Sequence, residues 1–173
     1  MDEALEKKFI EEMRDTLQKQ MSESETAKKK EEYNARVVAN DGARRWRELK
    51  DSLKRLTEEI NEGLPEGMLS YSENANGNEF TLRHELSERM MQVIFDPASA
   101  TVSYQGNSGK GAFRPRVEED ALEYGWENTI PCGVAKPKRA IRLEDDESPM
   151  AISMKEMSEI IIRCVVVTPV SDN

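Results

Sequence analysis

"NANGNEFTLRHELSERMMQVIF", residues 74–95, decides the fold. Asn76-Gly77 is a strong hairpin signal, because a tight hairpin turn needs residues that tolerate positive φ. After it, Phe80, Leu82, His84 and Leu86 fall on one side of an extended chain, with Thr81, Arg83 and Glu85 on the other. Met91, Val93 and Phe95 form the next inward set. A strand sends successive side chains to opposite faces, so a period of two marks strands with one buried face.

The alternation extends both ways. Upstream, Leu69 and Tyr71 alternate with Ser70 and Ser72. Downstream, "DPAS" (96–99) is a turn with proline at its second position. Val102 and Tyr104 follow, then Phe113 and Val117 on one face against Arg114 and Arg116 on the other. Pro115 has no N–H for a ladder, which predicts an edge strand. The expectation is an antiparallel meander of about five short strands over residues 67–117, a usual size for a sheet.

Helical periods flank the meander. Leu5, Phe9, Met13, Leu17 and Met21 recur every four residues among charges of both signs. Ser22 with Glu25 has the form of a capping box, which predicts a break or restart there. "KKKEEYNAR" (28–36) has almost no apolar face. Trp46, Leu49, Leu53, Leu56 and Ile60 are spaced 3, 4, 3, 4, the seam of a coiled coil. Asp41 is placed to cap that helix, and Gly63-Leu64-Pro65 to stop it. The same spacing serves a helix packed on its own sheet, the commoner source of helix stability. At the other end, Ser153 and Glu156 form a capping box with Ile152 and Met157 as its staple. Met154, Met157, Ile160, Ile161, Cys164 and Val165 line one face of the helix so begun, and Ile162 and Val166 lie opposite. The β-branched run from Ile160 to Val167 argues for strand; cap and stripe together favour a helix that ends before Pro169.

The fold class is therefore α+β: charged N-terminal helices, the meander, and a C-terminal helix on one sheet face. The expected division is a charged helical extension over 1–40 and an α+β domain over 41–173. Within the domain the expected parts are a seam helix (42–62), the meander (67–117), an irregular acidic region (118–148) and the C-terminal helix (153–168).

Composition narrows function. The 173-residue chain carries a net charge of −9, which disfavours nucleic acid and anionic lipid and suits a basic protein partner. Two cysteines and one histidine supply three of the four usual zinc ligands, in no zinc spacing. No cofactor is expected. "MDEALEKKFIEEMRD" has no signal-peptide core, and "IIIRCVVV" is too short to span a bilayer. The expectation is a reduced, cytoplasmic chain with no membrane or nucleic-acid partner, although one disulfide is possible.

The motif that most resembles chemistry is "GNSGKG" (106–111). A phosphate-binding P-loop needs a glycine where Tyr104 stands, a hydroxyl where Gly111 stands, and a helix after the loop. All three are missing, so the glycines are read as a hairpin. His84, on the apolar side of its strand, and Cys132, in a loop, are the residues an enzyme would use, but no local family signature surrounds them. Arg83, Arg114, Arg116 and Lys110 would share the outward sheet face as ordinary solvated charges. With Tyr104 and Phe113 inward, that face lacks the aromatics of an RNA-binding sheet.

The reading is a non-enzymatic interaction or adaptor protein, self-associating through helices, with a homodimer as the simplest form. Its contact residues are expected at Trp46, Leu49, Leu53, Leu56, Ile60, Ile162 and Val166. The alternative is an acidic inhibitor engaging a basic protein through Glu118, Glu119, Asp120, Asp145 and Asp146. A further alternative is a small molecule held in a cavity between sheet and helices.

Overall fold

The computed structural model describes residues 2–65, 68–130 and 151–167. It is α+β, as the alternation predicts: a long N-terminal helix, one antiparallel sheet and a C-terminal helix packed on the sheet. Helix α1 is Asp2–Glu62. The strands are β1 (Leu69–Glu73), β2 (Glu79–His84), β3 (Met90–Phe95), β4 (Val102–Gly106), β5 (Gly109–Glu118), β6 (Ala121–Ile130) and β7 (Ala151–Ile152), and helix α2 is Met154–Val166. The chain divides into two compact units, Met1–Arg36 and Val37–Asn173.

Two boundaries differ from expectation. Helix α1 does not break at Ser22, because the backbone ladder continues and Thr26 Oγ1 donates to the Ser22 carbonyl. A capping box is only one of the uses open to Ser and Glu three residues apart. Asp41 likewise lies inside α1 and caps nothing there; its carboxylate reaches a strand instead. Residue Gly63 does follow the helix end, as the stop signal requires.

Among the described residues the sheet has seven strands in sequential order, not about five. Strand β6 occupies the stretch expected to be irregular. Leu122, Tyr124 and Trp126 alternate there with Glu123, Gly125 and Glu127, and their acidic neighbours disguise the pattern. Glu119 and Asp120 form the β5–β6 turn with φ of 41° and 73°, the left-handed pair that a two-residue hairpin needs. Pro115 is not at the sheet's edge. It pairs with Tyr124, beyond the last β4 partner of β5 at Phe113, so its missing N–H faces no strand on the β4 side. Strand β2 ends at His84, and Leu86 in the following turn is exposed, not inward.

Register builds the core. Phe80 stands opposite Val93, and Val93 opposite Tyr104. Leu82 faces Met91, and Phe95 faces Val102. These side chains form one buried cluster with Trp46, Leu49 and Leu53 of α1 and with Met157, Ile160, Ile161, Cys164 and Val165 of α2. Helix α2 begins as the sequence indicates: the Ser153 Oγ accepts the Glu156 N–H at 3.1 Å. Arg89 closes the other end, its guanidinium donating to the Val166 and Val167 carbonyls, both at 2.9 Å. The last carbonyls of a helix lack partners within it, so this one side chain serves two of them.

Helix α1 also reaches strands toward both ends of the sheet, β1 and the part of β6 that β7 does not pair. Asn61 takes both backbone groups of Leu69 on β1: its Oδ1 accepts the N–H at 3.2 Å and its Nδ2 donates to the carbonyl at 2.8 Å. At the far side, Asp41 accepts the Leu122 N–H of β6 at 3.0 Å. Between them, Trp46 Nε1 and Lys50 Nζ both donate to the Gly77 carbonyl at the β1–β2 turn, at 2.7 and 3.0 Å. The 20 residues from Asp41 to Asn61 span about 30 Å of helix, and five inter-strand steps cover about 24 Å. One diagonal helix is thus long enough to reach both sides.

Candidate functional site

The seam residues are placed by the domain's own packing. Trp46, Leu49 and Leu53 are buried, and Trp46 stacks on Phe95 with ring centroids 5.4 Å apart. Leu56 is half-buried against the same core, and Ile60 is 38% exposed. A 3, 4, 3, 4 spacing cannot separate a partner helix from the protein's own sheet, and here the sheet covers most of it. On α2, Ile162 is buried and Val166 is 39% exposed.

Of the acidic candidates, Glu118, Glu119 and Asp120 lie within the described residues. Glu118 is paired with Arg116 at 2.8 Å. Glu119 and Asp120 make the tight turn, and Asp145 and Asp146 lie outside the described residues. Asp41, which sequence reasoning assigned only to a cap, carries more. Burial raises its pKa, but the Leu122 N–H and the Arg44 and Arg45 guanidiniums outweigh that and hold the carboxylate below its ordinary range.

The outward sheet face holds a shallow cavity of about 680 Å³, lined in part by Met90, Gln92, Gln105, Lys110 and Ile130. It lies away from the interface between sheet and helices, where the further alternative expected one. Arg83, Arg114 and Arg116 on this face each meet a carboxylate, from Glu85, Glu127 and Glu118 respectively. The face is therefore close to locally neutral.

"GNSGKG" is a hairpin. Gly106 pairs with Gly109 across the β4–β5 turn. A side chain at Gly106 would strike the Met90 carbonyl, and one at Gly111 would strike the Tyr104 phenol. That phenol accepts the Trp126 Nε1–H at 2.8 Å. Gly106 admits the close approach of the β3 backbone and Gly111 leaves room for the Tyr104 ring, so no phosphate is needed to explain them.

His84 Nδ1 accepts the Ser87 N–H at 3.1 Å and sits 2.6 Å from its hydroxyl. This stabilises the β2–β3 turn. Cys164 is disulfide-bonded, contrary to the reduced chain expected. Spacing alone cannot show which thiols a fold brings within bonding distance. The chain's other cysteine, Cys132, lies outside the described residues. Among the described residues no three His, Cys, Asp or Glu side chains are grouped to hold a metal ion. No described helix is long and apolar enough to cross a membrane.

What remains is the unit at the start of α1. Every residue from 2 to 33 is exposed. The stripe that the sequence marks is open along its length: Leu5 is 64% exposed, Phe9 59%, Leu17 58% and Met21 64%. Met13 and Ile10 are the least open of the set, yet both are also exposed. The four-residue period was visible in the sequence; that nothing among the described residues covers it was not. No known protein family, curated protein or solved structure matches the chain.

Proposed function

We propose that this is a non-enzymatic protein that works by association, pairing with itself through the first part of α1. One observation carries the reading: a helical segment with an apolar stripe and no buried residue between positions 2 and 33. Isolated helices in water are marginal, and helices in proteins owe most of their stability to packing an amphipathic face. Opposite charges at Glu3/Lys7, Asp15/Lys19, Glu25/Lys29 and Glu32/Arg36 stand four apart in the favourable order. Each such pair adds only about 0.2–0.5 kcal/mol. The stripe makes sense as a surface that is covered in the working state.

Charge favours a second copy over a highly charged partner. Residues 2–36 carry ten acidic and eight basic side chains. The chain totals are 34 and 25, so the rest holds 24 and 17 and most of the negative excess. A nearly balanced helix meets its own copy without net repulsion. Light scattering of the full chain over a hundredfold concentration range tests the reading. The expected result is a molar mass that rises toward twice the 19.7 kDa chain mass. A constant monomer mass, from a folded sample, would refute it.

A further inference from the structure

The stripe's spacing says how two copies meet, given the self-association proposed above. Leu5, Phe9, Met13, Leu17 and Met21 all lie on one i, i+4 row. A left-handed coiled coil needs alternating steps of three and four. One heptad frame takes Ile10, Met13 and Leu17, then reaches Gln20, Ser24 and Ala27, losing its large apolar residues after Leu17; the other with three, Ile10, Leu17 and Met21, puts Arg14 in the seam and goes on to Ser24 and Lys28. The i, i+4 row keeps large apolar residues for five successive positions.

We infer that the stripe packs against the stripe of a second copy, each i, i+4 ridge lying in the groove beside the other, with Met13 nearest the crossing point and the contact confined to about residues 5–21. Rows of i±4 spacing lie oblique to the helix axis, and two helices interdigitating such rows cross at about −50°, against about +20° in a coiled coil. Obliquely crossed helices diverge on both sides of the contact, so the pairing does not continue into "KKKEEYNAR". A second copy is the natural occupant because it brings the same apolar row on a helix whose ten acidic and eight basic side chains nearly balance, so the two segments meet without net repulsion. Met13 is the middle residue of the five, so it lies nearest the point where the two helices cross. Opening roughly 100 Å² on each of five side chains gives about 1,000 Å² for two copies, near the lower limit for a specific interface. The dimer is therefore a weak, concentration-dependent one.

Sedimentation and cysteine cross-linking on the full chain test this together. Phe9→Gln and Leu17→Gln should each weaken the dimer at least tenfold. Met13→Cys should form an interchain disulfide readily, whereas Ala27→Cys, on the first heptad frame, should not; the unsubstituted chain controls for its native cysteines. A dimer that cross-links through Ala27→Cys as readily as through Met13→Cys would mean pairing along the whole segment and would overturn the crossed ridge. Cross-linking at neither site, in a sample that still dimerises, would overturn it too, while leaving self-association intact. Absence of any dimer would remove the self-association reading itself.

Discussion

Thr57 sits in the core, 1% exposed, with no hydrogen-bond partner for its hydroxyl among the described residues. Its neighbours on α1 solve the problem differently: Ser52 meets Ser158 of α2 at 2.9 Å. An unpartnered buried hydroxyl costs about 1–3 kcal/mol, and valine has the same shape without it. Thr57→Val should raise unfolding stability by about 1 kcal/mol, read from the urea midpoint; a loss of that size would show that the hydroxyl has a partner. Gly42 runs the other way. Glycine inside a helix costs about 1 kcal/mol relative to alanine, so propensity favours substitution. A Cβ there would lie 2.7 Å from the Ala100 Cβ, well inside contact distance. Ala100 cannot move aside easily. It is held at φ 60°, its N–H donates to Asp96 and its carbonyl accepts the Tyr124 phenol. Overpacking of this kind costs about 1–3 kcal/mol. Gly42→Ala should therefore lower the melting temperature despite its better helix propensity, and a rise would show that the turn yields.

At the scale of elements, α1 meets open backbone at one residue of β1 and one of β6. Unpaired strand edges invite further strands. Asn61 and Asp41 answer that at Leu69 and Leu122 with side chains from one helix. The Asp41 contact has a pH signature. Its folded pKa is lowered, so its contribution is present above the unfolded carboxylate range, near 3.9, and is lost as pH falls through the folded value. Asp41→Asn should be less stable than the parent at neutral pH, with the difference shrinking below about pH 4. A difference that stays constant into acid would mean that the carboxylate's charge does not matter.

Much of this level could be read from residues alone. Strands β2 to β4 follow from the alternation around Phe80, Met91 and Val102, and α2 from Ser153 and Glu156. Strand β6 is hidden in the sequence because Glu118, Glu119 and Asp120 resemble a solvated run, whereas two of them form the turn between strands. The bonds made by Asp41 and Asn61 join residues far apart in sequence, and local pattern carries no information about such partners. The fate of the Trp46 seam was ambiguous for the same reason: sheet and partner helix ask for the same spacing.

For the whole molecule, the two units have different chemistry. Residues 37–173 hold the buried core, the disulfide-bonded Cys164 and most of the net negative charge. Residues 2–33 are a mixed-charge helix with its apolar stripe uncovered. The core is complete without the stripe, so substitutions such as Leu17→Gln should leave the domain's unfolding unchanged while altering assembly. Amide hydrogen exchange, followed peptide by peptide, tests the central claim most directly. A helix without tertiary cover opens readily and exchanges fast. If copies pair through the stripe, protection over residues 5–21 should increase with protein concentration, while that of β2 and β3 stays constant. Fast exchange over 5–21 that is the same at every concentration would contradict the account.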